Sequence, residues 1–236
     1  MMRVLHAVKP HEQFVASGIY QHQEDGKAVG TTEQWSVHEL PDGAYLIRVD
    51  YDAREERGLT VLVEALTLPG RVHEFERFDT HQISPGGRYF HKSRMTVTIN
   101  EGGTLIGTAI NGGEMEYREM VFAPGTLVYP PGQVFAGALV KQLVAKETPV
   151  PVFLLLTGTP GSDEIIGYAR SIHAAAPGST TLGGKEIALK CHTLAGSNPT
   201  LSGVFCLNEQ DILMRFAQPG EGGHERVIVL TQYAHR

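Results

Sequence analysis

The sequence predicts an all-β fold with a minor α component: an open or partly closed antiparallel β-barrel with one helix covering an opening. Three observations carry this expectation. Short segments of period-two alternation, rich in β-branched and aromatic residues, run between Gly, Asp and Asn turns up to Ala123. One segment, Gly132 to Lys146, changes to helical spacing directly after Pro130-Pro131. From Val150 the strand pattern resumes and continues to the C-terminus. That order suggests a single domain over 1–236: one curved sheet with a helix laid on its concave face.

The clearest strand has Tyr45, Ile47, Val49 and Tyr51 on one face and Arg48 and Asp50 on the other. It follows a strand containing Trp35 to His38 through the turn Pro41-Asp42-Gly43. Leu59, Val61, Val63 and Ala65 form the next apolar stripe, and Met95, Val97 and Ile99 alternate with Arg94, Thr96 and Thr98. Asn100-Glu101-Gly102-Gly103 and Asn111-Gly112-Gly113 mark two hairpins; Glu114, Glu116 and Arg118 then point one way and Met115 and Tyr117 the other. In the second half, Ile187, Leu189 and Cys191 alternate with Glu186, Ala188 and Lys190, and Ile212, Met214 and Phe216 form a stripe before the turn at Gln218 to Gly223. About fourteen strands of the usual ~5–8 residues result. In the helix, Phe135, Ala138, Leu139, Gln142 and Leu143 make a stripe with one polar interruption, and Lys141 and Lys146 sit toward the C-terminal end. Pro149 and Pro151 prevent its continuation. Ile165 to His173 fits helix or strand, and Ala174 to Gly184 reads as a surface loop.

Composition narrows the function. Lys+Arg number 20 against Asp+Glu 26, for a net charge of −6, which gives nucleic acid no basic face. The densest positive stretch, Arg88 to Arg94, reads as an ordinary solvated strand. No apolar run approaches the ~18 residues of a membrane-spanning helix. The first residues lack the roughly 7–15 apolar residues of a secretory signal, so a cytoplasmic location is expected if the chain is complete, and a periplasmic one if a leader has been removed.

No catalytic motif stands out in the sequence. There is no G-x-S-x-G elbow, and Ser162 sits in a turn. Gly183-Gly184-Lys185 lacks the spacing of a phosphate loop, and no dinucleotide fingerprint occurs, so no cofactor is expected. The chain has 11 histidines, densest around His73 to His81, but on one strand those two lie roughly 27 Å apart at ~3.4 Å per residue. A metal site would need His38, His91 or His192 from other strands, and scattered surface histidines are the ordinary alternative. Glu114 and Glu116 share a strand face about 7 Å apart, a separation within the range of acid/base pairs but common on exposed strands.

The two cysteines sit on strands flanking Ala195 to Thr200. If the turn centres between Asn198 and Pro199, Cys191 and Cys206 oppose each other; a one-residue shift would put them on opposite faces. Two free buried thiols are expected in a reducing compartment, close enough to bond on oxidation.

The opening run Tyr20 to Gly30, the continuation Leu40 to Tyr45, and the closing runs Gly184 to Cys191 and Gly203 to Phe216 together resemble bacterial proteins with an unclosed β-barrel of the LolA/LolB lipoprotein carrier type. The resemblance lies in layout and turn rhythm, from about Phe14 to Tyr233. It implies a hydrophobic cavity for an acyl chain or similar ligand. The chain departs from that family in lacking an export signal and a lipobox cysteine near its start.

The expected function is therefore non-enzymatic binding of an apolar or amphipathic, lipid-like small molecule. Trp35, Tyr45, Tyr51, Phe75, Tyr117, Phe135, Leu139 and Phe205 are the candidates for the cavity wall. The alternatives are an enzyme with a polar pocket in the same barrel, or a protein–protein adaptor. No catalytic and no metal-binding residue is assigned.

Overall fold

The computed structural model describes residues 2–83, 89–98, 104–111, 114–155, 164–197, 201–219 and 223–236; for 72, 73, 89–91, 104–111, 114–121, 155 and 164–166 it describes the backbone alone. Within these residues the chain is mostly β. The first half runs as a meander: β1 (Gln13–Glu24), β2 (Lys27–Glu39), β3 (Tyr45–Ala53), the single-turn helix α1 (Arg54–Arg57), β4 (Leu59–Leu68), β5 (Arg71–Ile83), β6 (Tyr89–Thr98), β7 (Thr104–Asn111) and β8 (Glu114–Val121). Then come β9 (Leu127–Tyr129), a 3-10 turn (Gln133–Phe135), α2 (Ala136–Val144) and β10 (Val150–Leu155). The second half holds β11 (Glu164–Ala174), β12 (Gly178–Leu182), β13 (Lys185–Gly196), β14 (Gly203–Leu207), β15 (Leu213–Pro219) and β16 (Glu225–His235).

These strands form one open sheet with the order β8-β7-β6-β5-β4-β3-β2-β1-β16-β15-β14-β13-β11-β10-β9, and β12 branching from β13. Every pairing is antiparallel except β9 with β10, which run parallel because α2 carries the chain back across the sheet. The two halves of the chain meet where β1 pairs with β16, the first strand beside the last.

Several strands are longer than the expected five to eight residues: β2 and β5 each have 13. Bulges interrupt the two-residue period, as between Phe14 and Ala16 and between Gln21 and Gln23 of β1, so one strand reads as two short ones. The segment that fitted helix or strand is β11, paired on both sides. The expected loop at 174–184 contains the β12–β13 hairpin, turned by Gly183 and Gly184, both at positive φ.

The helix forms where its spacing predicts, but its buried face is rotated. Ala136, Gly137, Leu139, Val140 and Leu143 are buried, whereas Ala138 and Gln142 are only half-buried. Helical entry at Phe135 puts that ring edge-on to Phe75 of β5 at 5.5 Å. The first turn thus touches the N-terminal half of the sheet. Further along, Gly137 lies against the backbone of Asp211, in the β14–β15 turn, and Lys141 reaches the Asp211 carboxylate at 2.6 Å. The 3-10 turn and the helix that follows it therefore together contact both halves of the sheet.

The opposite face of β3 and β4 carries the charged alternates, and these are buried rather than solvated. Residues 3–12 lie across them. Arg48, 1% exposed, donates to both Glu12 carboxylate oxygens at 2.7 and 3.0 Å and to Glu64 at 3.0 Å. Arg3 binds Asp50 at 2.7 Å and His6 binds Glu64 at 2.5 Å. Alternation correctly assigns Arg48 and Asp50 to that face, but nothing in it indicates that the N-terminal segment covers them.

Cys191 and Cys206 are directly opposed across β13 and β14, the arrangement of the two considered that keeps them on one face. They form a disulfide, the bonded state that their opposition allows on oxidation. Direct opposition brings the two sulfurs within bonding range, so bonding needs no backbone rearrangement.

Candidate functional site: a cleft at the helix entry

Where the chain enters the helix, a cleft of about 410 Å³ opens between Pro130 to Gln133 on one side and the ends of β1, β3, β15 and β16 on the other. Its floor is apolar. Phe205 of β14 and Phe216 of β15 are cross-strand partners with ring centroids 4.4 Å apart, and Leu154, Tyr129 and Ile228 extend that surface. Its walls are polar. His22, two residues beyond the fully buried Tyr20, opposes Ile228 across the β1–β16 seam and meets Tyr51 of β3 edge-on at 5.6 Å. Gln218 follows Phe216 at the next position on the same strand face, and Gln133 projects from the 3-10 turn.

The electrostatics of the wall follow from burial. Desolvation pushes the His22 imidazole down to about 4, against the attraction of Glu56, so it is neutral near pH 7. At the mouth the charges pair off: Arg57 lies 3.2 Å from Glu56, and Arg226 lies 3.6 Å from Glu24. Glu56 also accepts from Thr31 at 2.6 Å. Three of the lining residues each carry a buried polar atom with no hydrogen-bond partner among the described residues: His22 Nε2, Gln133 Oε1 and Gln218 Oε1. All three are closed to water, so it is other atoms of these side chains that face the cleft.

Behind the wall, Glu33 of β2 is buried on the same side as Trp35. Its Oε1 accepts from the backbone N–H of Gln133 at 2.7 Å and of Val134 at 3.3 Å. Burial pushes this carboxyl up to about 7, and the two amides only partly offset it. Glu33 thereby fixes the start of the helix and the position of Gln133.

The expected wall residues divide. Tyr51 and Phe205 line the cleft. Trp35, Phe75, Phe135 and Leu139 lie in the packed core, each no more than 4% exposed: Trp35 stacks on Tyr20, and Phe75 packs between Phe78 and Phe135. Tyr45 is half-buried at the start of β3, away from the cleft. The side chains of Tyr117, Glu114 and Glu116, like those of His73 and His91, lie outside the described residues. Among the described residues, no three His, Cys, Asp or Glu side chains gather as a metal site would require, and no helix is long and apolar enough to cross a membrane.

Sequence reading missed His22, Gln133 and Gln218. A signal existed. The inward stripes Ala16-Gly18-Tyr20-His22 and Met214-Phe216-Gln218 each pass from apolar to polar at one end, and the β3 stripe ends at Tyr51. That three strand ends meet in space is a property of the sheet order. The sequence matches no family model, and no curated protein is similar to it.

Proposed function

We propose that this protein binds a compact amphipathic small molecule in the cleft at the helix entry and does not transform it. The observation that carries this reading is a cleft of about 410 Å³ that joins an aromatic floor, Phe205 and Phe216, to polar lining residues, His22, Gln133 and Gln218. The cleft volume is within the ~300–1,000 Å³ of small-molecule sites. The resemblance of the sequence layout to LolA/LolB-type carriers would imply the same class of function. The enzyme alternative would need a group poised near neutrality in the cleft. Glu33 has such a value, but its acceptor oxygen is held by two backbone amides and it is not part of the cleft wall.

The test uses N-phenyl-1-naphthylamine, a neutral fluorophore that brightens in apolar surroundings. Saturable, single-site binding is expected, lost in Gln218→Trp, where the larger side chain fills the cleft while circular dichroism stays unchanged. Absence of saturable binding to the folded protein, or binding indifferent to Gln218→Trp, would remove this reading.

A further inference from the structure

A second hollow opens on the other face of the sheet, where residues 6–12 run beside strands β3 to β6. We propose that it binds a small amphipathic anion, such as a short-chain carboxylate. The charge would lie toward Arg77, Arg94 and Lys9, and the apolar body on Leu40, Leu46 and Leu66. The site is independent of the cleft at the helix entry and shares no residue with it. Its volume is about 230 Å³. That is below the ~300–1,000 Å³ of typical small-molecule sites, so the occupant is a short chain or a single ring.

The sheet register builds the floor and one wall. Leu46 opposes Leu66 across β3 and β4, and Leu66 opposes Arg77 across β4 and β5. Asp79, next on that face of β5, opposes Arg94 of β6. One sheet face thus passes from leucine to arginine over four strands. The leucines are only half-buried, so they present apolar surface to the hollow. The N-terminal segment builds the other wall. Both Glu12 oxygens accept from Arg48, which fixes this segment against the sheet.

The sign of the charge follows from which groups reach solvent. Glu12 and Glu64 also line the hollow, but both side chains are buried and their oxygens are taken by Arg48 and His6. On the opposite wall, Arg77 and Arg94 share one carboxylate, Asp79, at 2.9 and 2.6 Å. Among the described residues that wall therefore holds one cation in excess. Asp79 is 7% exposed, whereas Arg77 and Arg94 are 33% and 54% exposed, so it is the guanidinium groups that meet a ligand. Lys9 adds an exposed ammonium at the rim. A carboxylate gains charge-assisted hydrogen bonds there, and a cation meets repulsion. The leucine floor then favours an anion with an apolar body over one without.

The experiment follows the arginine Nε–H resonances of nitrogen-15-labelled protein by NMR at about pH 7.5. The probes are hexanoate, hexanamide (no charge), hexylammonium (opposite charge) and acetate (no tail). Saturable shifts at Arg77 and Arg94 are expected with hexanoate, and each other probe should bind about tenfold or more weakly. Arg94→Gln leaves Arg77 alone with Asp79 and should weaken hexanoate by about tenfold, read at Arg77. Leu66→Gln should bring hexanoate and acetate within about threefold of each other. Circular dichroism confirms that both variants fold. Hexanoate binding should persist in Gln218→Trp, which fills the cleft. No saturable shift with hexanoate overturns the proposal, as does any other probe binding as tightly. Hexanoate affinity unchanged by Arg94→Gln also overturns it. Loss of hexanoate binding in Gln218→Trp would place the ligand in the cleft and overturn this site while leaving the cleft reading intact.

Discussion

At the scale of single residues, His22 and Glu33 give stability opposite dependences on pH. The Glu33 carboxyl rises from its ordinary 4.5 to about 7 in the folded protein, because burial disfavours its charge. Its favourable contribution is complete below about pH 4.5 and is lost as pH rises through 7. The His22 imidazole falls from 6.5 to about 4, also through burial. Its contribution is complete above about pH 6.5 and is lost as pH falls through 4. Each offset corresponds to about 3 kcal/mol at roughly 1.4 kcal/mol per pH unit, so the two slopes nearly cancel between about pH 4.5 and 6.5. Glu33→Gln keeps an acceptor for the Gln133 and Val134 amides, and relative to wild type it should gain stability steadily from pH 4.5 to 7. His22→Phe should gain toward acid, from pH 6.5 down to 4. Unfolding free energies from urea titrations across this range, taken as differences from wild type, read each slope separately. Difference curves that stay flat would show that neither group titrates as its burial requires.

At the scale of elements, α2 shows how local sequence fixes an element but not its orientation. Pro130-Pro131 before it, the apolar spacing within it and Pro149 after it define its limits, and the structure places it there. The buried face is nevertheless centred on Ala136, Leu139, Val140 and Leu143, because Gly137 must face the Asp211 carbonyl in the β14–β15 turn. This tertiary contact is invisible to spacing. It also decides the effect of Gly137→Ala. Helix propensity alone would make that change stabilising by about 1 kcal/mol. A methyl group at 137 would overlap the carbonyl oxygen of Asp211, and backbone on both sides leaves little room for adjustment. We expect a net loss of about 2 kcal/mol, the scale of overpacking in a tight interface. Thermal unfolding of Gly137→Ala at unchanged or higher temperature than wild type would contradict this packing.

At the scale of the whole molecule, what was legible in the sequence was what depends on near neighbours. The alternation of β3 and the helix limits follow from residues within one element, and the opposition of Cys191 and Cys206 is one of two registers their hairpin allows. Sheet order is different: β1 meets β16 from the far end of the chain, and residues 3–12 bury Arg48 of β3 from outside the meander. Bulges in β1 also hide the length of strands that a regular period would reveal. The cleft belongs to this long-range level, since His22, Gln133 and Gln218 come from separate elements. If the β1–β16 seam and α2 bind the halves into one cooperative unit, damage to the helix must reach the far side of the molecule. Trp35, the single tryptophan, packs between Tyr20 and Tyr233 at that seam and reports on it by fluorescence. Leu139, 2% exposed in the helix, is the place to perturb. Leu139→Asp buries an unpaired charge and should cost about 3 kcal/mol or more. Because unfolding is all-or-none in such a unit, the Trp35 fluorescence transition in urea should move to lower concentration together with the loss of far-ultraviolet circular dichroism. A variant in which the Trp35 transition keeps its wild-type midpoint while the circular dichroism shifts would mean that the two halves of the sheet unfold separately.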